Sequence, residues 1–228
     1  MYQHSKVKVG IWGRILIAVL GLGVAGASGA AQAAGWYGGI GVGQSKFKSQ
    51  SSTCASLGPI LSSRTSCTFD LKDTGWKLFG GNQLNEYAAV EASYIDFGKM
   101  KANAAGTLKN TSTAATGSAE FKAKSFDVAL VGTMPVGEAL GIIGRAGLFL
   151  WKVEAPASAT AISGGATSSA NPKKTGFDIT IGAGVKYDFT KKIGMRAVWD
   201  RYKNVGDQPT TGESFSIDLY SVSLLYNF

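Results

Sequence analysis

The sequence predicts an all-β protein: an eight-stranded antiparallel up-and-down transmembrane β-barrel, preceded by a cleaved signal peptide. Three observations predict it. Eight segments alternate apolar and polar residues with a period of two, aromatic residues collect at the ends of those segments, and the connections are alternately long and short. A period of two is a strand with two different faces. Two aromatic belts are what the two interfaces of a bilayer select.

The chain opens on Lys6, Lys8 and Arg14, followed by the apolar run Ile15 to Val24 and small residues ending in Ala31-Gln32-Ala33. A basic start, an apolar run and an A-x-A site are the three parts of a secretory signal peptide. Residues 1–33 are therefore read as signal and 34–228 as the barrel. An uncleaved anchor is the weaker alternative, because the run is short for a span of roughly 20 residues. Cleavage removes three bases from a formal net charge of +8, and also removes His4, the sole histidine.

The first strand is Trp36 to Gly43, with Trp36, Ile40 and Val42 opposite Gly39, Gly41 and Gly43. The second, about Thr74 to Leu84, sets Trp76 and Leu78 against Lys77. The third, about Tyr87 to Phe97, sets Val90, Ala92 and Tyr94 against Ala89, Glu91 and Ser93. The fourth runs from about Phe121 to Thr133, with Phe126, Val128 and Leu130 opposing Asp127 and Ala129. The fifth, about Leu140 to Lys152, places Ile142, Ala146, Leu148 and Leu150 opposite Arg145 and Gly147. The sixth alternates from Phe177 to Tyr187, with Asp178, Thr180 and Lys186 on its polar face. The seventh, about Ile193 to Tyr202, opposes Met195, Ala197 and Trp199 to Arg196 and Asp200. The eighth ends the chain, with Tyr220, Val222, Leu224, Tyr226 and Phe228 on one face.

Polar connections of about 47–73, 100–120, 153–175 and 203–214 alternate with the short turns 85–86, 134–139 and 188–192. The long ones read as solvated loops. A soluble lipocalin-like barrel also has eight strands, but its apolar face points inward. Here one aromatic rim holds Trp36, Tyr87, Tyr187, Tyr226 and Phe228, and the other Tyr94, Phe97, Phe126, Trp151, Trp199 and Tyr220. That arrangement favours the membrane, where a closed ladder satisfies every backbone polar group. Long loops are expected outside and short turns in the periplasm.

With the apolar face outward, parity sends Lys77, Glu91, Asp127, Arg145, Asp178, Lys186, Arg196 and Asp200 inside. An eight-stranded lumen is just filled by side chains, so these charges are expected to pair. The expected centre is a Glu91–Arg196 ion pair, with Arg145 or Lys186 sharing the carboxylate and Asp127 or Asp178 as second acceptors. Cys54 and Cys67 lie in the first long loop and are expected to bridge in an oxidising compartment, stabilising by roughly 3 kcal/mol. Basic residues such as Lys46, Lys99, Lys122, Lys124 and Lys152 flank the outer rim, where lipopolysaccharide offers phosphates. Nucleic acid is a poor partner for a secreted barrel.

The chain resembles the OmpA-like transmembrane β-barrel family of bacterial outer membranes. The resemblance rests on Gly80-Gly81-Asn82-Gln83-Leu84-Asn85-Glu86-Tyr87, Val90-Glu91-Ala92-Ser93-Tyr94, Ile142-Ile143-Gly144-Arg145-Ala146-Gly147, Val185-Lys186-Tyr187-Asp188-Phe189-Thr190 and Ile193-Gly194-Met195-Arg196. The ending Val222 to Phe228 is similar to the terminal strand, with Tyr226 and Phe228, that the outer-membrane assembly machinery reads. The resemblance implies a monomeric protein of the cell outer membrane, bound by lipids and lipopolysaccharide and presenting loops to host or surface ligands. Of the family's interior quartet, Glu91 and Arg196 match one carboxylate and one base. Lys186 stands where the second carboxylate would be, and Leu130 or Val131 falls near the other base. The larger relatives carry a peptidoglycan-binding domain after the barrel, and none is expected after Phe228.

The expected role is structural: stabilising the envelope and presenting loops. The alternative is a narrow pore for small solutes or ions. No enzyme is expected, since barrel lipid hydrolases and acyltransferases use a histidine to activate an oxygen nucleophile. No cofactor or metal is expected.

Overall fold

A computed structural model of the protein describes residues 35–48, 66–107, 114–161, 167–206 and 214–228. The segment 1–33 expected to be a signal peptide and Cys54 lie outside the described residues, as does the side chain of Cys67, so the expected cleavage site and bridge are not described.

The described residues form eleven strands: β1 (Trp36–Lys48), β2 (Ser66–Asp70), β3 (Lys72–Asn85), β4 (Ala88–Thr107), β5 (Ala114–Pro135), β6 (Leu140–Glu154), β7 (Ala157–Ala161), β8 (Thr167–Ala170), β9 (Lys173–Asp188), β10 (Ile193–Val205) and β11 (Phe215–Asn227). Eight of them close a ring in the order β1-β3-β4-β5-β6-β9-β10-β11 and back to β1, each antiparallel to its neighbours. They coincide with the eight alternating segments of the sequence.

The two faces are inverted relative to a soluble protein. Leu130 is 63% exposed and Phe177 76%, whereas Lys77, Glu91, Asp127 and Asp200 are 0% exposed. An apolar outer wall around buried charge suits a hydrocarbon surround and excludes the lipocalin arrangement. Glycines on the inner face make room for the side chains within. A Cβ on Gly39 would strike the Phe79 ring, and one on Gly182 would strike Asp200 and Arg145.

Side chains close the short turns locally. The Asn85 side-chain oxygen Oδ1 accepts the Tyr87 N–H at 2.9 Å. The Thr190 hydroxyl oxygen accepts from the Lys192 and Ile193 N–H groups at 3.2 and 2.9 Å. Such short polar side chains satisfy backbone donors in turns.

At the other end the expected boundaries need correction. Three of the long connections are not loops throughout. β4 and β5 run on as a paired hairpin as far as Thr107 and Ala114, β2 pairs with β4, and β7 pairs with both β5 and β8. One side of the barrel wall therefore rises past the rim as a five-stranded sheet, β2-β4-β5-β7-β8. The sequence hid this because Ala, Gly, Ser and Thr in alternation carry little hydrophobic contrast. The extension begins at a bulge between Asp96 and Lys99, where Gly98 takes φ +75°. The Asp96 carboxylate accepts the Gly98 N–H at 2.9 Å and Asp73 accepts the Lys99 N–H at 2.7 Å. A bulge of this kind re-aims the strand that follows it. Pro156 and Pro172 separate β7 and β8 from β6 and β9. Their carbonyls accept from Glu120 and Ala155, each at 2.9 Å, so pairing continues around the missing donors.

Candidate functional site

The barrel interior has three layers. Toward the turn end, Tyr37, Phe79, Ala89, Val131, Ile143, Val198 and Leu225 form one apolar cluster. Toward the long-loop end, a larger cluster includes Phe47, Phe97, Phe149, Trp151, Tyr202, Phe215 and Leu219. The charges lie between them.

Glu91 on β4 meets Arg196 on β10 in a two-pronged pair, Oε2 to Nη1 at 2.6 Å and Oε1 to Nη2 at 2.9 Å. Planar bidentate pairing of this kind is among the stronger ionic contacts. The Tyr37 hydroxyl donates to Glu91 at 3.1 Å, and Ser93 donates at 3.3 Å. The Arg196 guanidinium also lies over the Phe79 ring, 3.7 Å from its centre. Arg145 on β6 is the second hub. Its Nη2 is 3.6 Å from Glu91 and 3.2 Å from Asp127, and its Nη1 is 2.8 Å from Asp200. Lys77 donates to Asp200 at 3.1 Å, and the Tyr202 hydroxyl donates to Asp127 at 3.1 Å.

Three carboxylates thus face three cations across five strands. A buried charge without a partner costs several kcal/mol, and this set balances. Glu91 and Asp127 are taken up by cations and hydroxyls and Asp200 by two cations, so the arrangement ties the strands of the wall together across the lumen.

Of the interior residues expected from parity, Lys77, Glu91, Asp127, Arg145, Arg196 and Asp200 are brought together. Two are not, which corrects the expected network. Asp178 lies nearer the long-loop end, where it accepts from Asn204 Nδ2 at 2.8 Å and from the Ile179 N–H at 2.6 Å. Lys186 lies toward the turn end and pairs with Asp188 at 3.1 Å. Both have inward parity, but parity fixes the face and not the depth. Arg145, not Lys186, therefore shares Glu91. Phe97 and Trp151, placed on the outer aromatic rim by the sequence, are instead buried inside. Each has the inward parity of its own strand, Phe97 with Ser93 and Ile95 on β4 and Trp151 with Phe149 and Val153 on β6. Tyr37 and Tyr202 were missed as network members, although each has the inward parity of its strand.

Outside the apolar belt, toward the long-loop end, lysines stand directly opposite one another across strand pairs: Lys46–Lys72, Lys99–Lys122 and Lys124–Lys152. Like charges in that register repel. Glu120 lies 4.0 Å from Lys99 and 3.6 Å from Lys122, Asp96 3.2 Å from Lys124, and Glu154 3.0 Å from Lys152. The hydrogen bond from Lys152 holds the Glu154 carboxyl below the usual carboxylate range.

A closed ladder with an apolar outer wall and a charge-paired, filled interior defines a transmembrane β-barrel. The model for the OmpA-like transmembrane domain matches residues 31–228. Outer membrane protein A of Yersinia pseudotuberculosis serotype I is 27% identical over 193 residues, 85% of this chain and 48% of that protein. Outer membrane protein A of Klebsiella pneumoniae is 26% identical over 150 residues, 66% of this chain and 40% of that protein. The chain thus spans about half, or less, of the length of these curated relatives. Among solved structures, Ail of Yersinia pestis in complex with the heparin analogue sucrose octasulfate is 14% identical with a TM-score of 0.49, covering 86% of this chain and 100% of that one. The N-terminal barrel domain of Pseudomonas aeruginosa OprF is 12% identical with a TM-score of 0.48, covering 86% and 100%. The chain belongs to the OmpA-like transmembrane domain family, and its place is the cell outer membrane.

Proposed function

We propose that this barrel is a structural and surface-presenting protein of the outer membrane, without conduction or catalysis. The observation that carries the reading is the filled interior: a balanced charge layer held between two apolar clusters. A lumen packed in this way transmits no hydrated ion without breaking buried pairs. On this reading the protein acts as a monomer, its Tyr226 and Phe228 serve the assembly machinery, and its raised sheet is the surface offered to ligands. The opposed lysines of the rim take the phosphates of lipopolysaccharide, whose charge relieves their mutual repulsion.

The alternative, a narrow pore, has one feature in its favour. A cavity of about 20 Å³ at the turn end is lined by Tyr37, Gln83, Lys186, Arg196 and Asn227, among others. That is room for water, and Arg196 with its Glu91 partner closes it. Planar-bilayer recording separates the readings. The structural reading expects a silent protein, together with cells that become sensitive to detergent when the protein is deleted. Stepwise conductance from the purified wild-type barrel would overturn it in favour of the pore.

A further inference from the structure

The outward face of the wall changes chemistry in bands along β4 and β5. Tyr94 and Phe126 end the apolar belt, and Lys99, Lys122 and Lys124 form a charged band above it. Beyond the charges the outward side chains become small, neutral and hydrogen-bonding. One row crosses all five strands of the raised sheet in register: Thr68, Asn103, Ser118, Ser158 and Ser169. A second row above it runs Ser66, Ala105, Thr116 and Thr160. No charged side chain stands in either row. Thr68, Asn103 and Ser118 of the first row and the four residues of the second line a concavity of about 390 Å³. With strands about 4.8 Å apart, the first row offers a polar side chain at each step across the sheet. The Ser118 and Ser158 hydroxyls lie 3.1 Å apart, a distance at which either donates to the other.

We infer that this concavity seats the core sugars of the lipopolysaccharide that surrounds the barrel. The inference rests on the envelope reading above and names the partner of its outward face. Two observations select this occupant. The surface is continuous with the lipid-facing wall, so whatever covers it belongs to the same leaflet. The order of its bands, apolar then cationic then hydroxyl, is the order of a lipopolysaccharide molecule: acyl chains, phosphates, sugars. Sugar hydroxyls are both donors and acceptors, as are Ser and Thr hydroxyls and the Asn amide. Each contact is weak, but a lipid already held by its chains and phosphates meets the ladder at high effective concentration. Among the described residues, the opposed Lys99 and Lys122 share the single carboxylate of Glu120 at 4.0 and 3.6 Å, so two cations meet one anion and can take another.

The test uses the folded protein in phosphatidylcholine nanodiscs. One probe is the core oligosaccharide released from rough lipopolysaccharide by mild acid, titrated to the order of the millimolar effective concentration that the lost tether supplies, and the other is the diglucosamine bisphosphate headgroup of lipid A. The oligosaccharide is expected to shift the backbone amide resonances of Thr68, Asn103, Ser118 and Ser158. The triple variant Thr68→Val, Thr116→Val, Ser118→Ala should bind it at least tenfold more weakly and bind the bisphosphate unchanged, with the dispersed amide spectrum of the folded barrel retained. Lys99→Gln with Lys122→Gln should do the reverse. Oligosaccharide that leaves the ladder amides unmoved, or binds the triple variant equally, overturns the inference. So does a ladder shift that appears without sugar when two copies share a disc, since the face would then be a contact between barrels. The envelope reading is judged separately: a silent barrel whose loss sensitises cells survives a ladder that binds no sugar.

Discussion

Arg145 stands between Asp127 and Asp200, with Nη2 3.2 Å from the first and Nη1 2.8 Å from the second. Through that one guanidinium, β5, β6 and β10 are joined across the lumen, and Glu91 at 3.6 Å adds β4. A barrel wall needs no such link to satisfy its ladder. Cross-lumen pairing instead fixes which strands face one another across the interior.

The Glu91–Arg196 pair should be strongly coupled. Glu91→Ala leaves Arg196 and part of Arg145 without a buried anion, and losing one member of such a pair costs about 3–5 kcal/mol. Urea unfolding in lipid vesicles of both single variants and the double variant isolates the pairwise contribution, expected at roughly 0.5–3 kcal/mol. Additive losses would show that the two side chains do not meet.

Gly182 tests the same network without removing a charge. Its Cβ would collide with Asp200 Oδ1 and with Arg145 Cγ, while a Cβ on Gly144 meets nothing within 4 Å. Gly182→Ala should therefore cost about 1–3 kcal/mol by overpacking, and Gly144→Ala should be close to neutral. Equal stability of the two variants would mean that the interior yields to a methyl group.

Orientation follows from the asymmetry of the two ends. In a background with Cys54 and Cys67 replaced by Ser, a cysteine at Thr107 or Ala114, exposed at the far end of the β4–β5 hairpin, should react with a membrane-impermeant maleimide on intact cells. A cysteine at Glu138 or Lys191, both in short turns, should react only after the outer membrane is opened. The reverse pattern would invert the barrel.

All eight barrel strands and most of the charge network were legible in the sequence, for a physical reason. A bilayer outside and a narrow lumen inside force strong period-two contrast, so each strand announces its own two faces. Parity placed Lys77, Glu91, Arg145 and Arg196 correctly on that basis. Depth was not legible, because it depends on strand stagger. That is why Lys186 and Asp178 fell outside the network and why Tyr202 was overlooked. The raised sheet was hidden for the opposite reason: with water on its outward face, Ser, Thr, Ala and Gly alternate without marking which side is buried.

Tyr202 joins the interior's two kinds of packing, so its variants can separate them. Its ring makes edge contacts with Phe97 and Phe149 at 4.8 and 5.0 Å between centres, within the apolar cluster, while its hydroxyl donates to Asp127. Tyr202→Phe keeps the ring and removes one hydrogen bond to a charged acceptor, a loss of about 1.5–3 kcal/mol. Tyr202→Ala also empties the space between two aromatic rings, and an aromatic-to-alanine change in a packed core costs about 3–5 kcal/mol. If the apolar cluster seals the long-loop end, conductance should distinguish them as well. Tyr202→Phe should stay silent in planar bilayers, because its ring still fills the lumen. Tyr202→Ala, combined with Phe149→Ala, should show brief openings, because water then reaches the Arg145 layer from that end. Silence from the double variant, in a barrel shown to be folded, would place the seal in the charge layer instead of the aromatic one.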